Sequence, residues 1–155
     1  EFPNASKVRA APVLKDNFKN VTYYGIGPDE SYVDKCRSGS HGVYTSKVED
    51  LHEDYLRPQE NGSHTDCDYV CVSNDKMTLS AAEKKIAFNA SEYTQEELTN
   101  KKHGYELEKC GSTVLCIDYS QNGIGSNSCG PVLSEKYQLN EEKFTFDVKL
   151  VLHNR

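Results

Sequence analysis

The stretch FTFDVKLVL, residues 144–152, constrains the fold more than any other part of the chain. Phe144, Phe146, Val148, Leu150 and Leu152 alternate with Thr145, Asp147, Lys149 and Val151. Successive side chains of a strand point to opposite faces, so a period of two predicts a half-buried strand. Four further stretches read as strands: NVTYYGI (20–26), GVYTSKV (42–48), HTDCDYVCV (64–72) and KKIAFNAS (84–91). TVLCID (113–118) is a short apolar run and predicts a strand buried on both faces. Turn signals punctuate these runs at Gly27-Pro28-Asp29, Ser38-Gly39, Asn61-Gly62, Asn122-Gly123 and Gly130-Pro131. Many short strands between frequent turns predict an all-β, antiparallel β-sandwich.

One short helix interrupts the pattern. Thr94-Gln-Glu-Glu97 has the form of a capping box, in which the Thr side chain accepts from the third helical N–H and the Glu reaches back. Leu98 supplies an apolar contact and Lys101 and Lys102 suit the C-terminal dipole, with Gly104 placed to close the helix in a left-handed conformation. Residues 1–19 show no period and are expected to form an irregular edge to a single domain over 20–155. At 155 residues the chain is long enough to bury a core without staples.

Charge and cysteine usage narrow the function. The net charge is −6 and no basic cluster exceeds a Lys pair, which argues against nucleic acid and against an anionic membrane surface. No apolar run has the length of a membrane span or of a signal-peptide core. Either the chain is cytoplasmic or a leader has been removed. The start, EFPNASKVRAAP, lacks an initiator Met and suggests a piece of a longer protein. Six cysteines, at 36, 67, 71, 110, 116 and 129, allow fifteen disulfide pairings. Cys67 and Cys71 are four apart on a strand, so both are expected on one face and too far apart to bridge. Free, mostly buried thiols are the expectation, with three disulfides the alternative for a secreted chain. Sequons at Asn4, Asn20, Asn61 and Asn89 are read as chance.

No complete catalytic apparatus is evident. Gly123, Gly125 and Gly130 resemble a phosphate cradle only superficially, because Pro131 follows where a P-loop needs Lys. His64, Cys67 and Cys71 make a poor zinc cage, and read instead as two buried cysteines and a turn histidine. Cys129 as a nucleophile would need an adjacent His, but His41, His52, His64, His103 and His153 are scattered. Glycoside cleavage with retention needs two carboxylates about 5–5.5 Å apart. Glu30, Glu60 and Asp118 lie near predicted turns, where acidic residues are usually turn formers and solvated charges.

Four strings, in order, carry a resemblance. They are TYYGIGPDESYVD (22–34), YLRPQENGSHTD (55–66), CIDYSQNGIGSNSCGP (116–131) and FTFDVKLV (144–151). Together they resemble the C-terminal segment of the β-galactosidases of glycoside hydrolase family two, over roughly residues 20–152. NASEYTQEEL also resembles the family's short helical insertion after a strand. The resemblance implies one half of a galactose-mutarotase-like antiparallel super-sandwich, and a parent enzyme that hydrolyses terminal β-D-galactosides such as lactose with retention. It implies that the catalytic glutamates lie in a separate (β/α)₈ barrel, the chief partner of this segment. It implies no cofactor held by these residues, although the parent uses magnesium, and a parent that is a cytoplasmic homo-oligomer.

The resemblance also gives the loop Ser126–Pro131 a place, at the rim of the barrel's galactoside site. Asn127, Ser128 and Cys129 are then the expected substrate-binding residues. Some members carry Trp where this chain has Cys129, so a flat stacking platform is replaced by a small polarizable side chain. Glu30 and Tyr32 are expected to tie loops together by hydrogen bonds, and Tyr44 and Tyr55 to pack rather than meet sugar. Two other readings stand beside this one. A stand-alone carbohydrate-binding module would need an exposed aromatic row, and the chain has no Trp. A secreted interaction domain would need the disulfides.

Overall fold

The structure is a computed structural model, and it describes residues 7–124, 134–139 and 145–155. The expected all-β, antiparallel, sandwich-like fold with one short helix is what the chain forms. The strands are β1 (Lys7–Ala10), β2 (Val13–Leu14), β3 (Asn20–Gly27), β4 (Ser40–Lys47), β5 (His64–Ser73), β6 (Met77–Ser91), β7 (Thr113–Gln121) and β8 (Lys149–Asn154). They share one hydrogen-bonded sheet in the order β1-β7-β6-β5-β3-β4, with β2 on β7 and β8 on β6. Residues 7–14, expected to be irregular, therefore contribute two short strands that cover the edge of β7.

β6 organises the sheet. Its first half, Met77–Ala82, pairs with β8, and its second half, Ala87–Ser91, pairs with β7 on the same edge. Between them Glu83–Lys85 break the ladder, and Lys85 takes a left-handed φ of 63°. Sequence reading captured only residues 84–91 of this strand, because MTLSAA has no aromatic residue and, in Thr78, a single β-branched one. Opposite the break, β5 shifts register between His64 and Cys67 and again between Cys67 and Tyr69. The shift reverses the expected side-chain placement. Cys67 is fully buried beside Val70 and Val72, whereas Cys71 lies half-buried with its Sγ 3.3 Å from Ser80 Oγ.

The core draws on both halves of the sheet. Val21, Tyr23, Cys67, Val70, Val72, Ala81, Ile86, Phe88, Leu115 and Ile117 form one cluster with Phe18, Val48 and Leu51. Burying each such aliphatic or aromatic side chain stabilises the fold by about 1.5–3 kcal/mol. As expected, Thr113–Asp118 are buried throughout, with Leu115 and Ile117 in this cluster. His64 is no turn residue. It is 1% exposed, between Tyr23 at 4.5 Å and Phe88 at 5.2 Å centroid separation. Burial lowers its pKa to about 4, against a weaker opposing pull from its contact with the Ile26 carbonyl.

Three expected elements differ in extent. The C-terminal strand starts at Lys149 and runs to Asn154; Phe146 and Val148 pack against the core without ladder pairing, and Phe144 lies outside the described residues. The helix α1 spans Gln95–Asn100 and is capped by Thr94 Oγ1, which accepts from Glu97 N at 3.2 Å. Glu97 does not reach back. Its carboxylate accepts from Glu108 N at 2.8 Å and pairs with Lys101 at 3.4 Å. Gly104 opens a 3₁₀ turn, Gly104–Glu106, instead of closing the helix in a left-handed conformation. No helix among the described residues is long and apolar enough to cross a membrane.

Candidate functional site

At one end of the sheet three loops converge, and they carry three of the four strings singled out in the sequence. The first follows β3 (28–35), the second precedes β5 (52–63) and the third follows β7 (122–124). A polar network joins them, and several of its members are buried: Glu30, Ser31, Asn61, Ser63, Thr65, Asn89, Asp118 and Gln121. Buried polar groups persist only where they are paired, so the network fixes the relative positions of the loops.

Glu30 ties the first loop to the second. Its Oε1 accepts from Lys35 Nζ at 2.6 Å and from the Tyr55 hydroxyl, and its Oε2 accepts from Gly62 N at 2.8 Å. Burial pushes the Glu30 carboxyl up, but Lys35, Tyr55 and Gly62 outweigh it and hold the carboxyl below its ordinary value. Burial, then Glu30, pushes Tyr55 up to about 12. The expected loop-tying role of Glu30 is thus present. Gly62, at φ 67°, packs so that a Cβ would lie 2.2 Å from Leu51 O, so no side chain fits there. Asn61 and Gly62 do not form a hairpin turn. Asn61 is buried and accepts from Glu53 N at 3.0 Å within a longer loop. Ser31 adds a second tie, from Ser31 N to Ser63 O at 2.6 Å and from Thr65 N to Ser31 Oγ at 2.9 Å.

Arg9 ties the second loop to the third strand of the site, β7. Its Nε and NH2 donate to Asp118 at 2.6 and 2.7 Å, and NH1 and NH2 donate to Glu60 at 2.9 and 2.5 Å. The planar guanidinium fork suits two such bidentate contacts. Burial lowers the Arg9 pKa, but Asp118 and Glu60 more than offset it, so the guanidinium stays charged. Glu60 and Asp118 are therefore not solvated turn formers. The structure brings them together on either side of one cation, and Asp118 is 0% exposed. Gln121 Nε2 donates to Ser63 Oγ at 2.6 Å and Asn89 Nδ2 to Asn61 O at 2.9 Å, closing the network.

The third loop leaves this base at Ile124. Asn122 Oδ1 accepts from Leu139 N at 2.6 Å, Gly123 N donates to Tyr137 O at 3.3 Å, and Ile124 N donates to Asp34 Oδ1 at 3.0 Å. Both stems of the segment 125–133 are thereby held against each other and against the first loop. The expected substrate-binding residues Asn127, Ser128 and Cys129 belong to that segment and lie outside the described residues.

The remaining candidates separate. His64, Cys67 and Cys71 do not converge, since Cys67 faces the core and Cys71 the other side of β5. Among the described residues no three His, Cys, Asp or Glu side chains form a metal-holding group. Cys36, Cys67, Cys71 and Cys110 are free thiols. Burial, with Asp66 and Asp68 nearby, pushes Cys67 up to about 12, which makes it inert. Tyr44 packs on Tyr23 at 5.4 Å as expected, whereas Tyr55 hydrogen-bonds Glu30 and so joins two loops. Arg9, Asp34 and Asn122 escaped sequence reading as parts of the site. Arg9 and Asp34 meet partners 51 to 109 residues away, and local pattern carries no trace of such contacts.

Residues 9–150 match the family described as "Beta galactosidase small chain". The chain belongs to the β-galactosidase small-chain family. Among its relatives, a β-galactosidase of Actinobacillus pleuropneumoniae is 48% identical over 131 residues, which are 84% of this chain and 13% of that protein. One from Staphylococcus xylosus is 41% identical over 141 residues, 89% of this chain and 14% of that protein. One from Kluyveromyces lactis is 35% identical over 142 residues, 88% and 13% respectively. The small-chain segment thus spans about one seventh of the relatives it matches. The match starts at Arg9, so the clamp residue and the short strand β2 belong to the shared segment.

Proposed function

We propose that this small-chain segment is a non-catalytic part of a β-galactosidase, and that it presents residues 125–133 at the rim of a galactoside pocket built by the rest of the enzyme. The observation that carries the reading is the convergence of Asp34, Asn122, Gly123, Ile124, Tyr137 and Leu139 at the stems of that segment. A connection that served only to join two strands would not need such a base. A largely buried network of Glu30, Arg9, Asp118 and Glu60 holds together the loops and the strand from which these stems emerge. Rigid support for a binding segment is what precise substrate placement requires.

In this reading Asn127 and Ser128 offer hydrogen-bond donors and acceptors to sugar hydroxyls, and Cys129 offers a small polarizable contact. The general acid and the nucleophile, the magnesium ion and the (β/α)₈ barrel belong to the parent, which cleaves terminal β-D-galactosides with retention. The segment alone then has no hydrolytic activity. The parent assembles as a homo-oligomer in the cytoplasm.

Replacing Cys129→Trp in the full-length enzyme tests the reading. A stacking platform at the rim should change KM for a galactoside, or the partition between water and a sugar acceptor, by roughly three- to tenfold. Unchanged values of KM, kcat and acceptor partition would reject the rim role.

A further inference from the structure

We infer that the free edge of β4 is a contact between two copies of this chain, paired antiparallel about a two-fold axis at Val43. The inference rests on the parent being a homo-oligomer and is independent of the rim reading.

Strand β4 forms one border of the sheet and pairs with β3 alone among the described strands. Its eight residues keep unbroken register, from Asn20 opposite Lys47 to Gly27 opposite Ser40, with no bulge and no proline. Among the described residues, no backbone hydrogen bond reaches 41–46 from outside that ladder. About half of the strand's N–H and C=O groups therefore point away from the sheet and offer a template to another strand. The opposite border is built differently. There β1 and β2 are four and two residues long, and β1 shifts register between Val8 and Arg9, which makes a poor template.

β4 also lacks the charges that blunt an edge, since SHGVYTS carries no Lys, Arg, Asp or Glu. His41 leans back across β3, with its ring edge-on to Tyr24 at 4.4 Å and its Nε2 2.9 Å from Asp66 O. The Tyr44 hydroxyl lies along its own strand and donates to Ser40 O at 2.8 Å. Val43, in the middle of the strand, is left 63% exposed.

The residues select a second copy and a register. Side chains directly opposite one another share a face, so a two-fold axis normal to the sheet must pass between two copies of one residue. With the axis at Val43, Ser40 faces Ser46, His41 faces Thr45 and Gly42 faces Tyr44. No like charges meet, and each Tyr44 ring faces a residue without a side chain. With the axis at Tyr44, His41 would face Lys47 on both sides, two basic groups together. The Val43 register is self-complementary, as an isologous contact requires. An edge contact is small beside the roughly 1,200–2,000 Å² of a stable interface, so it acts with further contacts between the full-length protomers.

Oxidative cross-linking of the full-length enzyme tests the pairing. Directly opposite residues have Cα atoms about 4.5–5.5 Å apart, within reach of a disulfide. Under a mild oxidant, Val43→Cys should give a covalent dimer on a non-reducing gel at least tenfold faster than the unsubstituted enzyme, whose own thiols set the background. Thr45→Cys should stay at background, because the two copies of that residue lie roughly 13 Å apart along the strands. Combining Thr45→Cys with His41→Cys should restore fast linking.

Linking of Val43→Cys at the background rate, in an enzyme that sediments as an oligomer, overturns the inference and leaves the homo-oligomer standing. Equally fast linking by Thr45→Cys alone also overturns it, because the contact would then have no register. An enzyme that sediments as a monomer at every concentration removes the homo-oligomer reading as well. Should Val43→Cys fail to accumulate, Val43→Lys and Val43→Glu pose the same question through charge. Each alone should weaken self-association roughly three- to tenfold, and an equal mixture of the two should return it to within about threefold of the parent value. One association constant shared by all of these samples would overturn the pairing.

Discussion

Replacing Arg9→Met probes the base of the site most sharply. Methionine matches the length of the arginine stem but removes the guanidinium that pairs with both Glu60 and Asp118. Asp118, whose side chain is 1% exposed, would keep a buried charge with the Arg9 guanidinium gone. Removing one partner of a buried pair costs about 3–5 kcal/mol. That is a large share of the roughly 5–15 kcal/mol by which a domain is held folded. The loss falls on the contacts between β1, the 52–63 loop and β7, so it should appear as local opening there. Amide hydrogen exchange of the full-length enzyme, followed in peptides covering 113–121, reads it directly. A cost of about 3 kcal/mol speeds exchange from locally opened states roughly a hundredfold. Adding Asp118→Asn should recover more than half of the effect, because the stranded charge is then gone. Exchange in 113–121 within about threefold of the parent, or no recovery in the double variant, would refute the claim that Arg9 locks the base.

Two further outcomes follow from the buried groups. His64 keeps a pKa of about 4 when folded, against about 6.5 for an ordinary histidine. A histidine whose folded pKa is depressed contributes stability above the unfolded value, and that stability is lost as pH falls from about 6.5 towards 4. The loss reaches about 2.5 kcal/mol by pH 4.5. His64→Phe, which preserves ring packing against Tyr23 and Phe88, should flatten that part of the acid limb in urea unfolding. An equally steep limb in the variant would contradict this. Thiol titration of the isolated chain in denaturant, without reductant, should give six free thiols; fewer would mean that disulfides form and would restore the secreted reading.

How legible the molecule was depends on the range of the contacts involved. β7 stood out because a compact apolar run is a local signal, and it and β4 formed within a few residues of expectation, whereas the alternating run 144–152 pairs only from Lys149. β6 was half missed because its identity as a strand comes from pairing β5, β7 and β8. Cys67 and Cys71 were placed on one face because alternation was extended across Asp66 and Tyr69, where register shifts intervene. The helix ends at Asn100 because Lys101 takes an extended backbone and Gly104–Glu106 form a separate 3₁₀ turn. Glu30 was singled out from its string, since a carboxylate beside a Gly-Pro turn invites loop contacts. Its partners Tyr55 and Gly62 were not paired with it, because nothing local links positions 25 to 32 residues apart. Asp118 and Glu60 were taken for surface charges for the same reason. The cation that buries them lies at Arg9, in a stretch without periodicity.

Differential labelling of Cys129 tests the central claim most directly. The full-length enzyme is treated with a maleimide, with and without saturating galactoside, and modification is quantified in the peptide that contains residues 125–133. A rim position predicts that galactoside slows labelling of Cys129 at least several-fold while leaving exposed Cys110 unaffected. Equal rates at Cys129 with and without the sugar would place this segment away from the substrate and contradict the account.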